Sequence, residues 1–389
     1  MKKIRYSQPY IDKSDIKNVS ISLKSLDISD GPITRKLEVN LKKKLRLKNV
    51  LVVSNASNAL ILSVKSFNLK KNDIIWTSNI TFCSNLNSAL HLGFRVKLID
   101  TNRNFPFLDF KTLKYELENT KKKELPKIVM ITHMGGFAFE MKKIHKLSKI
   151  YKFKLLEDAS HALGSKHDKI NYVGSNYSDI CVFSCQAVKT ITSGEGGILS
   201  IKNKKQYVKI KELKSHSIIR GLNKKNHKIY DVNDLGYNFR VTDFQSALLL
   251  SQLKKITKFK RKRIDILNYY LKNLPDEYLD IPDCYFKRSK YSSLHLFIVY
   301  LKDKFVPSRD KLMEYLMNKG IETNIHYIPN SLHSFYRKNK NVIFKKEKLK
   351  NSIDYYKKCL TLPLHPNIKK KDIILITNLI KKFFHDKSL

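Results

Sequence analysis

Hydrophobic and polar positions follow two rhythms along this chain. Between residues 51 and 201 short apolar runs recur: Leu51–Ser54, Ile74–Thr77, Val96–Asp100, Ile128–Thr132, Lys154–Asp158, Asp179–Ser184 and Gly196–Ile201. Each is too short for a helix and largely apolar, which is the pattern of a strand buried on both faces. Stretches with helical spacing of their apolar positions separate the first five of them, near residues 55–67, 82–91, 109–119 and 140–151. Strands alternating with helices of this length predict an α/β fold with a mainly parallel sheet covered on both faces.

Outside that block the pattern changes. Ser14 is placed to cap a helix carrying Ile16, Val19, Leu23 and Leu26, and a turn at Asp30-Gly31-Pro32 leads, after Thr34, into a second helix with Leu37, Leu41 and Leu45 on one face. Downstream come helices near residues 204–216 and 241–256, then a basic helix to about Leu274 and a break at Pro275 to Pro282. A strand over Leu294–Leu301, a helix over Ser308–Asn318, a short strand around Ile321–His326 and terminal helices predict a smaller α+β unit. The expected division is a large domain over residues 1–256 and a small C-terminal domain over 257–389.

Composition changes this picture in one respect. With 76 Lys and Arg against 34 Asp and Glu, the net charge is +42, which raises nucleic acid or an anionic membrane as a partner. The lysines are spread through almost every segment, so the charge reads as a solvated surface; a basic nucleic-acid-binding protein is the rival class, and neither nucleic acid nor membrane is the expected partner. No stretch approaches the ~18 apolar residues of a membrane span. The cysteines Cys83, Cys181, Cys185, Cys284 and Cys359 contain no C-x-x-C pair and no ligand set for a metal, so a reducing, cytoplasmic setting is expected.

Three predicted strand ends carry chemistry, and in a parallel sheet ligands bind where such ends converge. At S-N-A-S-N-A-L, Ser54 to Leu60, small and hydroxyl residues fall where strand becomes helix; the N–H groups around Ala56 and Ser57 could hold an anion or belong to a plain helix cap. In L-E-D-A-S-H-A-L-G, Asp158 ends a strand with His161 close behind. That carboxylate could act as a base, pair with a ring nitrogen, or cap its own turn. Lys189 lies in S-C-Q-A-V-K-T-I-T-S-G-E-G-G, between an apolar strand and a glycine turn. Burial there lowers an amine's pKa and makes it nucleophilic, although phosphate binding and contact with an anionic substrate are also open. The dinucleotide and P-loop glycine fingerprints are absent.

Taken in chain order, these ends resemble the nucleotide-sugar aminotransferases among the fold-type-I enzymes that use pyridoxal 5′-phosphate (PLP). The resemblance runs through Y-S-Q-P-Y-I-D, D-G-P, S-N-A-S-N-A-L, T-F-C-S-N, E-D-A-S-H-A-L-G-S, F-S-C-Q-A-V-K-T-I-T-S-G-E-G-G, G-Y-N-F-R-V-T-D-F-Q-S-A-L and I-H-Y-I-P, nearly the whole chain. It implies that Lys189 links covalently to PLP and shuttles the substrate proton, and that Asp158 pairs with the pyridine nitrogen. Phe82 would stack on the ring, His161 would lie near the phenolic oxygen, and Ala56, Ser57 and Ser184 would hold the phosphate. Asn238 would reach the phosphate of a second subunit, making a homodimer part of the site, and His326 and Tyr327 would lie near the sugar. The implied reaction passes an amino group from glutamate to the C4 keto group of a UDP-linked 4-keto-6-deoxy sugar, as in pseudaminic acid and surface polysaccharide biosynthesis, with legionaminate- and perosamine-type enzymes as neighbours. Family members with histidine at the lysine position dehydrate instead, so Lys189 implies transamination. Gln186, Thr190 and the segment T-H-M-G-G (Thr132 to Gly136) depart from the commoner forms.

Overall fold

A computed structural model describes residues 3–220 and 229–386. The apolar runs form β1 (Asn49–Val53), β2 (Ile74–Ser78), β3 (Arg95–Ile99), β4 (Ile128–Thr132), β5 (Lys154–Asp158), β6 (Ile180–Ser184) and β7 (Gly197–Ile201). After a hairpin of β8 (Ile218–Arg220) and β9 (Tyr230–Val232) come β10 (Leu279–Asp280), β11 (Phe297–Leu301), β12 (Val342–Ile343) and β13 (Cys359–Leu362). The large sheet has the order β1-β7-β6-β5-β4-β2-β3-β12. Its strands run one way except β7, which pairs antiparallel with both β1 and β6. The fold is the α/β fold-type-I arrangement that the apolar runs and the resemblance together imply.

Period-2 alternation decides which side chain meets which layer. Leu51, Val53, Met130, Leu156, Val182 and Leu199 pack with α3 (Ala56–Ser66), α4 (Ser84–Leu90) and α7 (Lys204–Leu213). Their sequence neighbours turn the other way. Val50, Val52, Cys181, Phe183 and Ile198 meet α2 (Pro32–Leu45) and α8 (Asp243–Asn273), while Trp76, Val129, Ile131 and Leu155 meet α5 (Phe110–Glu118) and α6 (Met141–Tyr151). Both faces are covered, which is why the strands lack polar alternation.

Four expectations change. The N-terminal helix α1 (Lys13–Ser22) is capped by Asp12, not Ser14: Asp12 accepts the N–H groups of Ser14 and Asp15, and Asp15 accepts that of Asp12. The aspartate forms a reciprocal capping box that a serine two places later cannot. α1 then stops at Ser22, leaving Leu23 and Leu26 beyond it and exposed. The two helices expected over 241–274 are one unbroken helix of 31 residues, α8, because no Pro or Gly interrupts it. Finally, Ile321–His326 forms only isolated bridges, Ile321 to Ile4 and Asn324 to Thr361, where the N-terminus and β13 take its backbone groups.

The three strands β10-β11-β13 form an antiparallel sheet backed by helices over Arg309–Asn318 and Lys370–His385. β12 comes from the same C-terminal third yet closes the edge of the large sheet against β3.

One buried carboxylate ties the two ends of the large unit together. Asp243, at the start of α8, accepts the N–H groups of Gly31, Ile33 and Thr34 and the Thr34 hydroxyl at 2.6–3.2 Å, so it caps α2 from another element. A Cβ on Gly31 would lie 2.6 Å from its Oδ2, so the residue before Pro32 has to be glycine. Asp243→Ala leaves these buried donors unpaired and is expected to cost about 3–5 kcal/mol. Thermal unfolding should start measurably earlier in this variant, and an unchanged transition would contradict the shared cap.

Candidate active site

The ends of β1, β4, β5 and β6 and the start of β7 meet on one edge of the sheet. Thr132 pairs with Asp158, Asp158 with Val182, and Gly197 with both Val53 and Ser184. Thr132, Asp158 and Ser184 share the parity of Met130, Leu156 and Val182, so all three project from the face that carries α3 and α4. There they line a cavity of about 730 Å³.

Lys189 enters that cavity on a loop closed by its own backbone. Cys185 N–H donates to the Gly196 carbonyl, Ser193 N–H and the Thr192 hydroxyl donate to Cys185, and Lys189 N–H donates to Gln186. The Ser7 hydroxyl holds the Val188 carbonyl at 2.9 Å, bringing the N-terminus and Tyr6 to the rim. Burial pushes the Lys189 amine down to about 8, with the Asp158 and Glu195 carboxylates working in the opposite direction. Asp158 is buried and accepts from Ser160 N–H and Oγ at 3.1 and 2.5 Å.

The anion cradle has the expected form. Asn55 caps α3 by accepting the N–H of Asn58, leaving the helix's first N–H groups, at Ala56 and Ser57, toward the cavity. Gly197 explains the glycine pair: a Cβ there would stand 2.3 Å from the Asn55 carbonyl and 2.9 Å from Ala56 N. Gly197→Ala is therefore expected to displace the start of α3 and weaken binding of a phosphorylated ligand roughly tenfold or more, since about 1.4 kcal/mol already does so. A titration with PLP measures this, and unchanged affinity would refute the packing argument.

Of the residues singled out in the sequence, Ala56, Ser57, Phe82, Asp158, His161, Ser184, Lys189, His326 and Tyr327 all line this one cavity. Phe82 is 52% exposed at its mouth, with its ring 5.7 Å from that of Tyr327. A second, more open cleft of about 700 Å³ adjoins beyond Phe82 and Tyr327. Asn238 is exposed and does not line its own chain's cavity. Sequence reasoning missed Thr132, Glu195 and His295. The signal for His295 was present, as the single imidazole in the apolar run Leu294–Leu301. Its ring centre lies 4.5 Å from that of His161, and burial holds both rings' pKa well below the usual value.

Residues 9–381 match the family described as the DegT/DnrJ/EryC1/StrS aminotransferases. The chain belongs to this family. It is 34% identical over 369 residues, 95% of this chain and 94% of the other, to the UDP-4-amino-4,6-dideoxy-N-acetyl-beta-L-altrosamine transaminase of Campylobacter jejuni strain 81-176. A Helicobacter pylori protein of the same name is 30% identical over 387 residues, covering 99% and 98% of the two chains. Among solved structures, Helicobacter pylori PseC, an aminotransferase involved in pseudaminic acid biosynthesis, superposes with a TM-score of 0.90 at 28% identity over 99% of this chain and all of the other. The cofactor of this aminotransferase is PLP. The cavity suits it: a buried carboxylate for a ring nitrogen, an amine with no ion-pair partner among the described residues, and backbone N–H groups with the Ser184 hydroxyl for a phosphate.

Proposed function

We propose that this aminotransferase passes the amino group of glutamate to the C4 keto group of a UDP-linked 4-keto-6-deoxy sugar, as the names of its Campylobacter and Helicobacter relatives describe for those proteins. The observation that carries the chemistry is a lysine amine lowered to about 8 by burial, in one cavity with Asp158. PLP supplies an electron sink when bound. Lys189 is the residue that would attach it and would hold and return the substrate's proton; an amine near neutral pKa can do both. Asp158, held by Ser160, would favour the protonated pyridine nitrogen. Phe82 would cover the ring, Ala56, Ser57 and Ser184 would bind the phosphate, His161 would lie near the phenolic oxygen, and His326 and Tyr327 would face the sugar.

We further propose that the working unit is a homodimer. Two observations favour it. Asn238, which the family resemblance assigns to phosphate binding across subunits, is exposed and outside its own cavity, and Ile16, Ile21, Leu23 and Leu26 leave apolar surface uncovered near the N-terminus.

Incubation of the PLP-loaded enzyme with glutamate and a panel of UDP-, GDP- and dTDP-linked keto sugars tests the proposal by product mass. The expected product is the 4-amino sugar from the UDP-linked 4-keto-6-deoxy substrate. Turnover confined to a GDP-linked substrate would instead place the enzyme with perosamine-type relatives, of which the GDP-perosamine synthase of Escherichia coli O157:H7 is 25% identical over both full lengths.

A further inference from the structure

We propose that Glu157 and His133, on the side of β5 turned away from the cavity, fix the tautomer of His161 and so make Tyr327 a hydrogen-bond donor toward the ligand. These are positioning residues, and the proposal rests on the reading of this cavity as the active site.

Glu157 precedes Asp158, so alternation sends it into the opposite layer, where it is fully buried. Its Oε2 lies 2.6 Å from His133 Nε2 and 3.6 Å from His167 Nε2. Burial works against the Glu157 charge, but the bond from His133 and the charges of His133 and His167 outweigh it, and the carboxyl stays below its usual range. The Ser178 hydroxyl, the Cys181 thiol and the Tyr177 phenol also interact with it. A carboxylate buried in this way costs several kcal/mol unless it is well partnered, and His133 is its closest partner.

His133 begins the turn that follows β4. Its N–H donates to the Asp158 carbonyl at 3.0 Å and its own carbonyl accepts from Gly136, so side chain and backbone are both anchored. The residues after it are held as well: the Gly136 carbonyl accepts from the Ser165 hydroxyl at 2.7 Å and the Met134 carbonyl from Phe137 N–H at 3.0 Å. Gly135 and Gly136 adopt φ of 62° and 94°, and the turn is wedged so closely that a Cβ on Gly136 would stand 2.2 Å from Ser293 Oγ and 2.9 Å from the His161 carbonyl. What this turn presents to the cavity side is one donor: Gly135 N–H points at His161 Nδ1, 3.4 Å away. The Gly135 carbonyl meanwhile accepts from His295 N–H.

The consequence follows from counting protons. Burial keeps His161 neutral, so its ring carries one N–H. With Nδ1 accepting, that proton sits on Nε2 and is donated to the Tyr327 hydroxyl at 3.0 Å. Tyr327 retains its own proton, since burial pushes its phenol up, and is free to donate it within the cavity that both side chains line. The opposite tautomer would set Nδ1–H against Gly135 N–H, donor against donor, and would take the phenol's proton, leaving only oxygen lone pairs to face the ligand. A donor suits a keto, carboxylate or phosphate oxygen, and lone pairs do not. The polar chain from Glu157 through His133, the Gly135 amide and His161 therefore selects ligands that offer an acceptor to Tyr327.

Imidazole nitrogen shifts of the full chain labelled with ¹⁵N-histidine test this directly, with His161→Gln assigning the resonance. The expected result without cofactor or substrate is a protonated Nε2 and a bare Nδ1, so this measurement stands or falls independently of the amino-transfer reading. Glu157→Gln and His133→Gln should each populate the second tautomer and, in the loaded enzyme, lower kcat about tenfold, the size of one hydrogen bond lost in the transition state. That loss should disappear in a Tyr327→Phe background, because the effect passes through the phenol. A bare Nε2 in the parent chain overturns the proposal. So does an unchanged His161 pattern in either variant that folds; if neither folds, the parent spectrum decides.

Discussion

Lys189→Ala is expected to abolish amino transfer and covalent retention of PLP while leaving the chain folded. Loss of a positioned acid–base group alone costs about 10²–10⁴ in rate, and loss of the attachment point adds to this. The fold should survive because the amine makes no structural ion pair among the described residues and its loop is closed by backbone bonds around Cys185. Stability should, if anything, rise. An amine at about 8 in the folded chain and 10.5 when free is harder to protonate in the fold. The folded state therefore loses stability as pH falls from the free value through 8, and below 8 carries the full cost, up to about 3 kcal/mol, which alanine removes. Borohydride reduction followed by peptide mass should find PLP on the Lys189 peptide of the parent and on no peptide of the variant, and at pH 7 the variant without cofactor should unfold no earlier. Product formation within tenfold of the parent would sink the assignment.

The second large effect is expected from Asp158→Asn. Asparagine keeps an acceptor for Ser160 N–H and nearly the same volume, so the turn after β5 should hold. What disappears is the negative charge proposed to face a ring nitrogen. An ionised carboxylate favours the protonated partner by about 1–3 pKa units, or about 1.4–4 kcal/mol, so kcat should fall by roughly 10- to 10³-fold. PLP affinity should change much less, because the phosphate is proposed to bind at α3 and Ser184. A variant with parental kcat would mean that Asp158 serves only its own turn, the structural reading that the sequence leaves open.

The contrast between strands and connections explains what could be read from the residues. β4 and β5 match their expected limits, Ile128–Thr132 and Lys154–Asp158, because a strand buried on both faces has no option but to be apolar. The chemistry at their ends was legible for the same reason: in such a run, Asp158 is conspicuous. His295 was as conspicuous, but its place at the cavity comes only from meeting His161 across the two sheets. Glu157 and His133 were hidden differently. Their partnership depends on which face of β5 each neighbour occupies, and a sequence run that is buried on both sides does not mark its faces. The exposed Leu23 and Leu26 misled the helical count, since an apolar residue outside its own chain's core follows no intrachain period.

The antiparallel strand β7 has one more consequence, for the order in which the molecule assembles. β1 pairs with β7 and with no other strand among those described, and Asn49 grips the Ile201 carbonyl 152 residues away. During synthesis β1 emerges first as an apolar strand without a neighbour, while β2 and β3 can pair as soon as they are made. Contacts closing such long loops are the slow steps of folding. The cradle at the end of β1 is therefore completed only once β7 has been made, and a fragment of the chain that stops short of Gly197 leaves it without its neighbouring strand.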